Sequence, residues 1–217
     1  MFELAFYVKW VPVLLGGLKY TVAVALTAAV VGMVLGLGLA LVRLAELPVL
    51  SRGVWLFVEY VRGVPALVVL FFFYYALPQV GIRLDAFWAA ALGLGVNEAV
   101  FAAEIFRAGI QSLPRGQLDA GRSIALSRWD LYRYVVLPQA VAWMIPPLTN
   151  DLIGLIKNSS LASTITVEEL SLRATAVVSA TFRPFEVYCA IATIYVALTL
   201  ATSALSHQIE RRMRFST

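Results

Sequence analysis

One feature limits this chain more than any other: an apolar run from Val11 to Val42. A helix crossing the hydrocarbon core of a bilayer needs about 20 mostly apolar residues. This run meets that length and is long enough to extend beyond the bilayer or to tilt. Four further segments repeat the pattern, at about Val54 to Leu77, Phe87 to Ile110, Pro138 to Ile156 and Phe185 to Ser206. Composition agrees, with 61% hydrophobic and only 14% charged residues and a mean hydropathy of +0.83. Soluble domains run at about 45–50% apolar and about 25% charged, so a water-soluble globule could not cover its core here. An ordinary cytoplasmic enzyme, a disordered chain and a nucleic-acid-binding domain are excluded. The net charge of +4 does not point to nucleic acid, because the cations lie between apolar segments, as the membrane charge bias requires.

The expected fold is therefore an all-α membrane protein with five transmembrane helices. Lys and Arg near the span ends set its orientation. A cytoplasmic C-terminus gathers Arg43, Arg52, Arg107, Arg115, Arg122, Arg128, Arg133, Arg211, Arg212 and Arg214 on one side. Lys9, Arg83, Lys157, Arg173 and Arg183 fall on the other or at its border. That balance favours the N-terminus outside and the C-terminus in the cytoplasm. Met1-Phe2-Glu3-Leu4 lacks a basic stretch, so the first segment reads as a retained span and not a cleaved signal. The single Cys189, within an apolar run, allows no intramolecular disulfide and reads as packing. Gly32-x-x-x-Gly36 permits close approach of another helix, a weak signal for oligomerisation.

Two connections are more than tethers. From 111 to 137 the chain is polar, and Leu126 to Tyr132 reads as a short helix with Ser127 as N-cap and Asp130 at N3. A turn at Leu113-Pro114 precedes a second short helix through Gln117 to Gly121. This cytoplasmic loop reads either as a docking surface for a soluble partner or as a basic loop that fixes topology. On the outer side, between Lys157 and Arg183, a short amphipathic helix is expected over Val167 to Val178. Thr166 would cap it, with Glu168 and Glu169 in its first turn.

Polar groups at membrane depth are costly unless paired or hydrated. Asn97 and Glu104 in the third segment share a helix face with Phe101, and Glu98 flanks that face. In the fourth segment Asn150 and Lys157 share a face, Asp151 flanks it, and Pro146-Pro147 is expected to kink the helix. Asn158-Ser159-Ser160 is expected to unwind. These residues read as a polar pathway, or as structural ion pairs of Glu98 or Asp151 with Lys157 or Arg62. Glu104 leans structural, with Arg107 three residues on as its partner. Gly63 and Pro65 beside Arg62 read as a kink or a close helix contact. No phosphate-binding Gly-x-x-x-x-Gly-Lys-Ser/Thr loop occurs, nor a metal-spaced His/Cys cluster, nor a Gly-x-Ser-x-Gly elbow. A small transport or channel subunit is left, with a membrane enzyme poorly supported.

Residues 119–138 also carry a family resemblance. Permease subunits of ABC importers show Glu-Ala-Ala, three residues, Gly, nine residues, then Ile-x-Leu-Pro. Here Asp119-Ala120-Gly121, Ala125 and Val135-Val136-Leu137-Pro138 keep that spacing, with Asp for Glu, Gly121 for Ala, Ala125 for Gly and Val135 for Ile. Arg62-Gly63-Val64-Pro65, Leu70-Phe71-Phe72-Phe73-Tyr74, Ala103-Glu104-Ile105-Phe106-Arg107, Val136-Leu137-Pro138-Gln139-Ala140 and Lys157-Asn158-Ser159-Ser160-Leu161-Ala162-Ser163 resemble the polar amino acid uptake branch, over nearly the whole chain.

The resemblance implies a type I ABC importer permease fold, a single transmembrane permease domain over 1–217 and a place in a bacterial cytoplasmic (inner) membrane. It implies a chain with no ATPase site of its own, ATP and Mg being held by a partner ATPase. The implied partners are two ABC ATPase subunits, a second permease copy or related chain, an extracytoplasmic amino acid binding protein and the bilayer. Gln117, Asp119, Ala120, Gly121, Ala125, Leu126 and Ser127 would couple to the ATPase. Asn97, Glu98, Asp151 and Ser160 would contact substrate. An acid at Glu98 would favour an ammonium or a cationic side chain, whereas Lys157 could neutralise it or hold an α-carboxylate. A passive channel or a structural subunit is the alternative and would need no docking loop.

Overall fold

The computed structural model describes the backbone of residues 4–214, with the side chains of Arg115, Arg212, Met213 and Arg214 outside the described residues, as are Met1, Phe2 and Glu3. The first apolar segment forms one helix, α1 (Leu4–Leu44). At 1.5 Å per residue its 41 residues reach about 61 Å, roughly twice the hydrocarbon thickness of a bilayer. It therefore has to tilt or project.

The second segment is not one straight span. Helix α2 (Pro48–Arg62) stops at Gly63, and α3 (Ala66–Phe71) starts after Pro65, with a bend of 103° between the two arms. Proline explains the break: it has no N–H to donate and holds the residue before it in extended backbone. The kink read at Gly63-Val64-Pro65 is thus a corner that corrects the expected continuous helix. Beyond α3 the chain widens into a π turn (Phe72–Ala76) and tightens into a 3₁₀ turn (Leu77–Val80). Pro78 withholds a donor there, and Gly81 at φ 89° ends the arm.

Asp85 accepts the Trp88 N–H at 2.9 Å and opens α4 (Ala86–Gln111), the most enclosed of the long helices. Small residues let α1 lie against it. A Cβ on Gly32 would stand 2.7 Å from Glu98 Cγ, and one on Gly36 would stand 2.8 Å from Ala102 Cβ. The Gly32 and Gly36 pair therefore packs α1 onto α4 of the same chain, which corrects its reading as an oligomer contact.

After the short α5 (Arg115–Ser123), Ser127 Oγ accepts the Asp130 N–H at 3.1 Å, so the expected cap forms. The helix that follows is longer than expected. α6 (Arg128–Asp130) runs through a π segment (Leu131–Val136) straight into α7 (Leu137–Asn158). Pro138 supplies no donor, and the Leu137 N–H reaches back five residues to Tyr132. A π segment absorbs a missing bond without ending the helix. Helix α7 also runs on through Pro146-Pro147.

Asn158-Ser159-Ser160 does not unwind as expected: Asn158 ends α7 and the chain tightens into a 3₁₀ segment (Ser159–Ile165), where the Ser159 and Ser160 hydroxyls bond back to the carbonyls of Ile156 and Lys157. The next helix, α8 (Leu170–Thr181), is capped by Glu169, which accepts the Leu172 N–H at 2.9 Å. Thr166 instead takes a left-handed turn at φ 71°, because the chain must reverse before the helix begins. α8 folds back into the bundle, with Leu170, Ala174 and Val177 buried. Glu169 is fully buried and accepts the Tyr195 hydroxyl at 3.0 Å, while the Leu170 N–H donates to Thr21 Oγ1 at 3.2 Å. These bonds tie α8 to α1 and to α9 (Pro184–Arg214).

One apolar core centres on Val24, Ala28, Leu70, Ala90, Leu94 and Leu155. Another joins Phe6, Leu14, Ala174, Val177 and Val187 at the opposite end of α1 from Arg43. α9 is largely exposed, and Cys189 lies exposed on it, which corrects its reading as packing. Among the described residues three helices, α1, α4 and α9, are long and apolar enough to cross a membrane, or four counting the bent α2–α3 pair. The 22-residue α7 is not among them, its sequence being broken by Pro146, Pro147, Asn150 and Asp151.

Candidate functional site

Acidic groups of α4 and α7 meet in the middle of the bundle. Glu98 and Asp151 face each other across the two helices. Asp151 Oδ2 is buried and receives no hydrogen bond among the described residues. None of the described ion pairs joins either acid to a cation: Arg62 pairs with Glu59 at 3.3 Å, and Lys157 is exposed. The ion pairs considered from the sequence, Glu98 or Asp151 with Lys157 or Arg62, are thus replaced by two carboxyl groups facing one another.

Two hollows open beside this pair. One, of about 310 Å³, lies between α1, α4, α7 and α9, with Glu98, Thr149, Thr202 and Ser206 on an otherwise apolar wall. The other, of about 370 Å³, is lined by Arg62, Phe101, Glu104, Pro147, Asn150 and Asp151. Arg62 lies over the Phe101 ring at 5.9 Å. This second hollow joins a cation, an aromatic face, an amide and carboxylates, groups suited to a zwitterion carrying both charges. Cavities of this size are in the range that small ligands occupy.

Of the residues singled out from the sequence, Glu98 and Asp151 come together and each lines a hollow. Asn97 is half-buried on α4 next to Glu98 and lines neither. Ser160 lies past the end of α7 in the 3₁₀ segment, where its hydroxyl donates to the Lys157 carbonyl at 2.7 Å. Glu104 is clasped as a structural group. Arg107 donates to it at 2.8 and 3.1 Å, and Arg43 on α1 donates to it as well. Sequence reasoning found Arg107 by its spacing but missed Arg43, a partner 61 residues away. It also missed the bond between Thr149 and Ser206 that joins α7 to α9; no local pattern signals it.

The loop residues form a second constellation, at the end of the bundle where α1 finishes and α4 ends. Asp119 and Ala120 are exposed on α5, and Asp119 holds Arg122 at 3.3 Å. Gly121 is the one described residue of α5 that is buried, and a Cβ there would stand 2.5 Å from Leu131 Cδ1. Ala125 stands at φ 59°, a conformation that favours glycine. Two of the four departures from the resembled pattern, at Gly121 and Ala125, thus differ in kind. Gly121 matches a bulky neighbour, whereas Ala125 carries strain. Ile124 and Trp129, 73% and 71% exposed, leave apolar surface beside the exposed face of α5.

Residues 32–215 match the family described as "Binding-protein-dependent transport system inner membrane component". The probable amino-acid permease protein YxeN of Bacillus subtilis is 38% identical over 211 residues, covering 96% of this chain and 94% of the relative. The glutamine transport system permease protein GlnP of Escherichia coli is 35% identical over 206 residues, covering 94% of each. A crystal structure of an amino acid ABC transporter with histidines superposes with a TM-score of 0.90 at 35% identity, over 98% of this chain and 99% of that one. An inward-facing methionine ABC transporter, MetNI, shares the fold at a TM-score of 0.77 and 22% identity. The all-α, type I importer architecture expected from the sequence is therefore the observed one. Both the match over most of the chain and the relatives' coverage place it in one family: it is a binding-protein-dependent transport system inner membrane component.

Proposed function

We propose that this chain is the membrane-spanning permease subunit of an ATP-driven importer that passes a polar amino acid from a binding protein to the cytoplasm by alternating access. The observation that carries this reading is the folded loop: α5 is packed by Gly121 onto the foot of the α6–α7 rod, with its remaining face open. A passive channel has no use for such a surface. Gln117, Asp119, Ala120, Gly121, Ala125, Leu126 and Ser127 would couple the chain to an ABC ATPase subunit, which carries ATP and Mg, with Gly121 acting by seating α5 on Leu131. The chain itself supplies no catalytic group. Asn97, Glu98, Asp151 and Ser160 would contact substrate, with the Glu98 and Asp151 carboxyls attracting its ammonium or a cationic side chain. ATP-driven closure can shift access only if the partners contact the two states differently.

In this reading residues 1–217 form one permease domain with five spans, α7 serving as one and the bent α2–α3 pair as another. The N-terminus is outside and the C-terminus cytoplasmic, in a bacterial inner membrane. Arg43 and Arg107 share one end of the bundle, while Arg173 and Arg183 share the other, near Val13 and Phe6. A second permease copy or related chain completes the path, and a soluble binding protein delivers substrate outside.

The test is purification of the chain from its native membrane in mild detergent, followed by reconstitution with its partners. An ATPase chain should co-purify and be lost when Asp119 is changed to Lys. Reconstituted vesicles should accumulate labelled glutamine, arginine or histidine only with ATP. A chain that comes out alone and passes solute without ATP would overturn the proposal in favour of a channel.

A further inference from the structure

We infer that Gln139 is a positioning residue: it makes α5 and the foot of α7 one rigid unit, so that displacement of α5 is delivered to α7. This rests on the importer reading above. The Gln139 side-chain amide uses both of its hydrogens. It donates to Gln117 Oε1 on α5 at 2.8 Å and to the Val135 carbonyl of the π segment at 2.9 Å. With both donors spent, the amide has one orientation and links two elements 22 residues apart in the chain.

Helix α5 needs such a link. It has nine residues, whereas isolated helices shorter than about 12–15 residues are marginal in water. A second tie to the rod is the apolar contact of Gly121 with Leu131, which is buried. That contact sets how closely α5 lies but, being apolar, leaves it free to slide or roll. Gln139 adds a directional bond that opposes such motion. It does so next to Pro138, where the π segment already departs from regular helix bonding. About 17 Å further along α7, at 1.5 Å per residue, stand Asn150 and Asp151 on the wall of the second hollow. A push on α5 therefore has a defined route to the polar site.

The experiment uses the full complex, with Cys189 changed to Ser in the cysteine arm. In Gln139→Leu, which keeps bulk and removes both donors, amide hydrogen exchange over 115–123 should quicken by about threefold to tenfold, the worth of one net hydrogen bond, with α4 unchanged. Labelled amino acid accumulated per ATP hydrolysed should fall by a similar factor. The pair Gln117→Glu with Gln139→Lys, which restores an acceptor and a donor, should recover most of that ratio. With Gln117→Cys and Gln139→Cys, joining the two by a short thiol-reactive cross-linker should leave transport at the level of the same double variant before cross-linking, because a rigid joint does not open in the cycle. Unchanged exchange and transport in Gln139→Leu, or transport abolished by the cross-link, would overturn the inference. If the wild-type complex moves no labelled amino acid or holds no ATPase, the importer reading falls, while the exchange arm still decides whether Gln139 fixes α5.

Discussion

Two acids on α4 received opposite surroundings. Glu98 and Glu104 are six residues apart, about 9 Å along one helix. Glu104 is clasped by Arg43 and Arg107, and Arg107 is held in turn by Gln111 at 2.7 Å. Glu98 has no described cation partner and faces Asp151, with an apolar hollow beside it. The first region resembles a fastener between α1 and α4. The second leaves charge-bearing groups unpaired at a depth where that is costly. A chain retains such a cost where a ligand or a moving part makes use of it, which is why the Glu98 region is the better candidate for substrate.

Neutralising the fastener should matter most for stability. Glu104→Gln leaves two guanidinium groups sharing one amide oxygen. Breaking a buried pair costs about 3–5 kcal/mol, and partial exposure here lowers that to about 2 kcal/mol, readable as a drop in the detergent-solubilised melting temperature. An unchanged melting temperature would erase the contrast. Gly32→Ala attacks the other region without touching charge. The new methyl meets Glu98 Cγ at 2.7 Å, and overpacking of this kind costs about 1–3 kcal/mol. Ala125→Gly lies far from both acids and should stabilise the complex by about 1 kcal/mol by relieving a positive φ. Glu98→Gln should leave the melting temperature unchanged or raise it, because it removes a charge-bearing group that is costly at that depth, while reducing uptake of a cationic amino acid. Normal uptake in that variant would make Glu98 structural after all.

The sequence made much of this legible. Helical class, the long apolar helices α1, α4 and α9 and the Ser127 cap follow from apolar composition and local hydrogen bonding, both of which act within a few residues. Glu104 with Arg107 was readable for the same reason, three residues being one helical turn. The α8 cap shows the limit. Thr166 and Glu169 are both plausible caps, and the choice fell to Glu169 because its carboxyl also meets Tyr195 on α9. The 103° corner after Arg62 was half legible: proline and glycine announce a break but not its angle.

By itself, then, the sequence determined that this is a helical membrane protein with a folded loop between α4 and α7, because transfer of apolar residues from water and backbone hydrogen bonding act locally. Only the tertiary structure decided which polar groups are spent on holding the bundle and which stay open. Arg43 could have paired with many acids, and Gln139 with many acceptors. Contacts spanning 61 and 22 residues depend on how closely helices approach. Here that approach is set by missing side chains, at Gly32 and Gly36 against α4 and at Gly121 against Leu131.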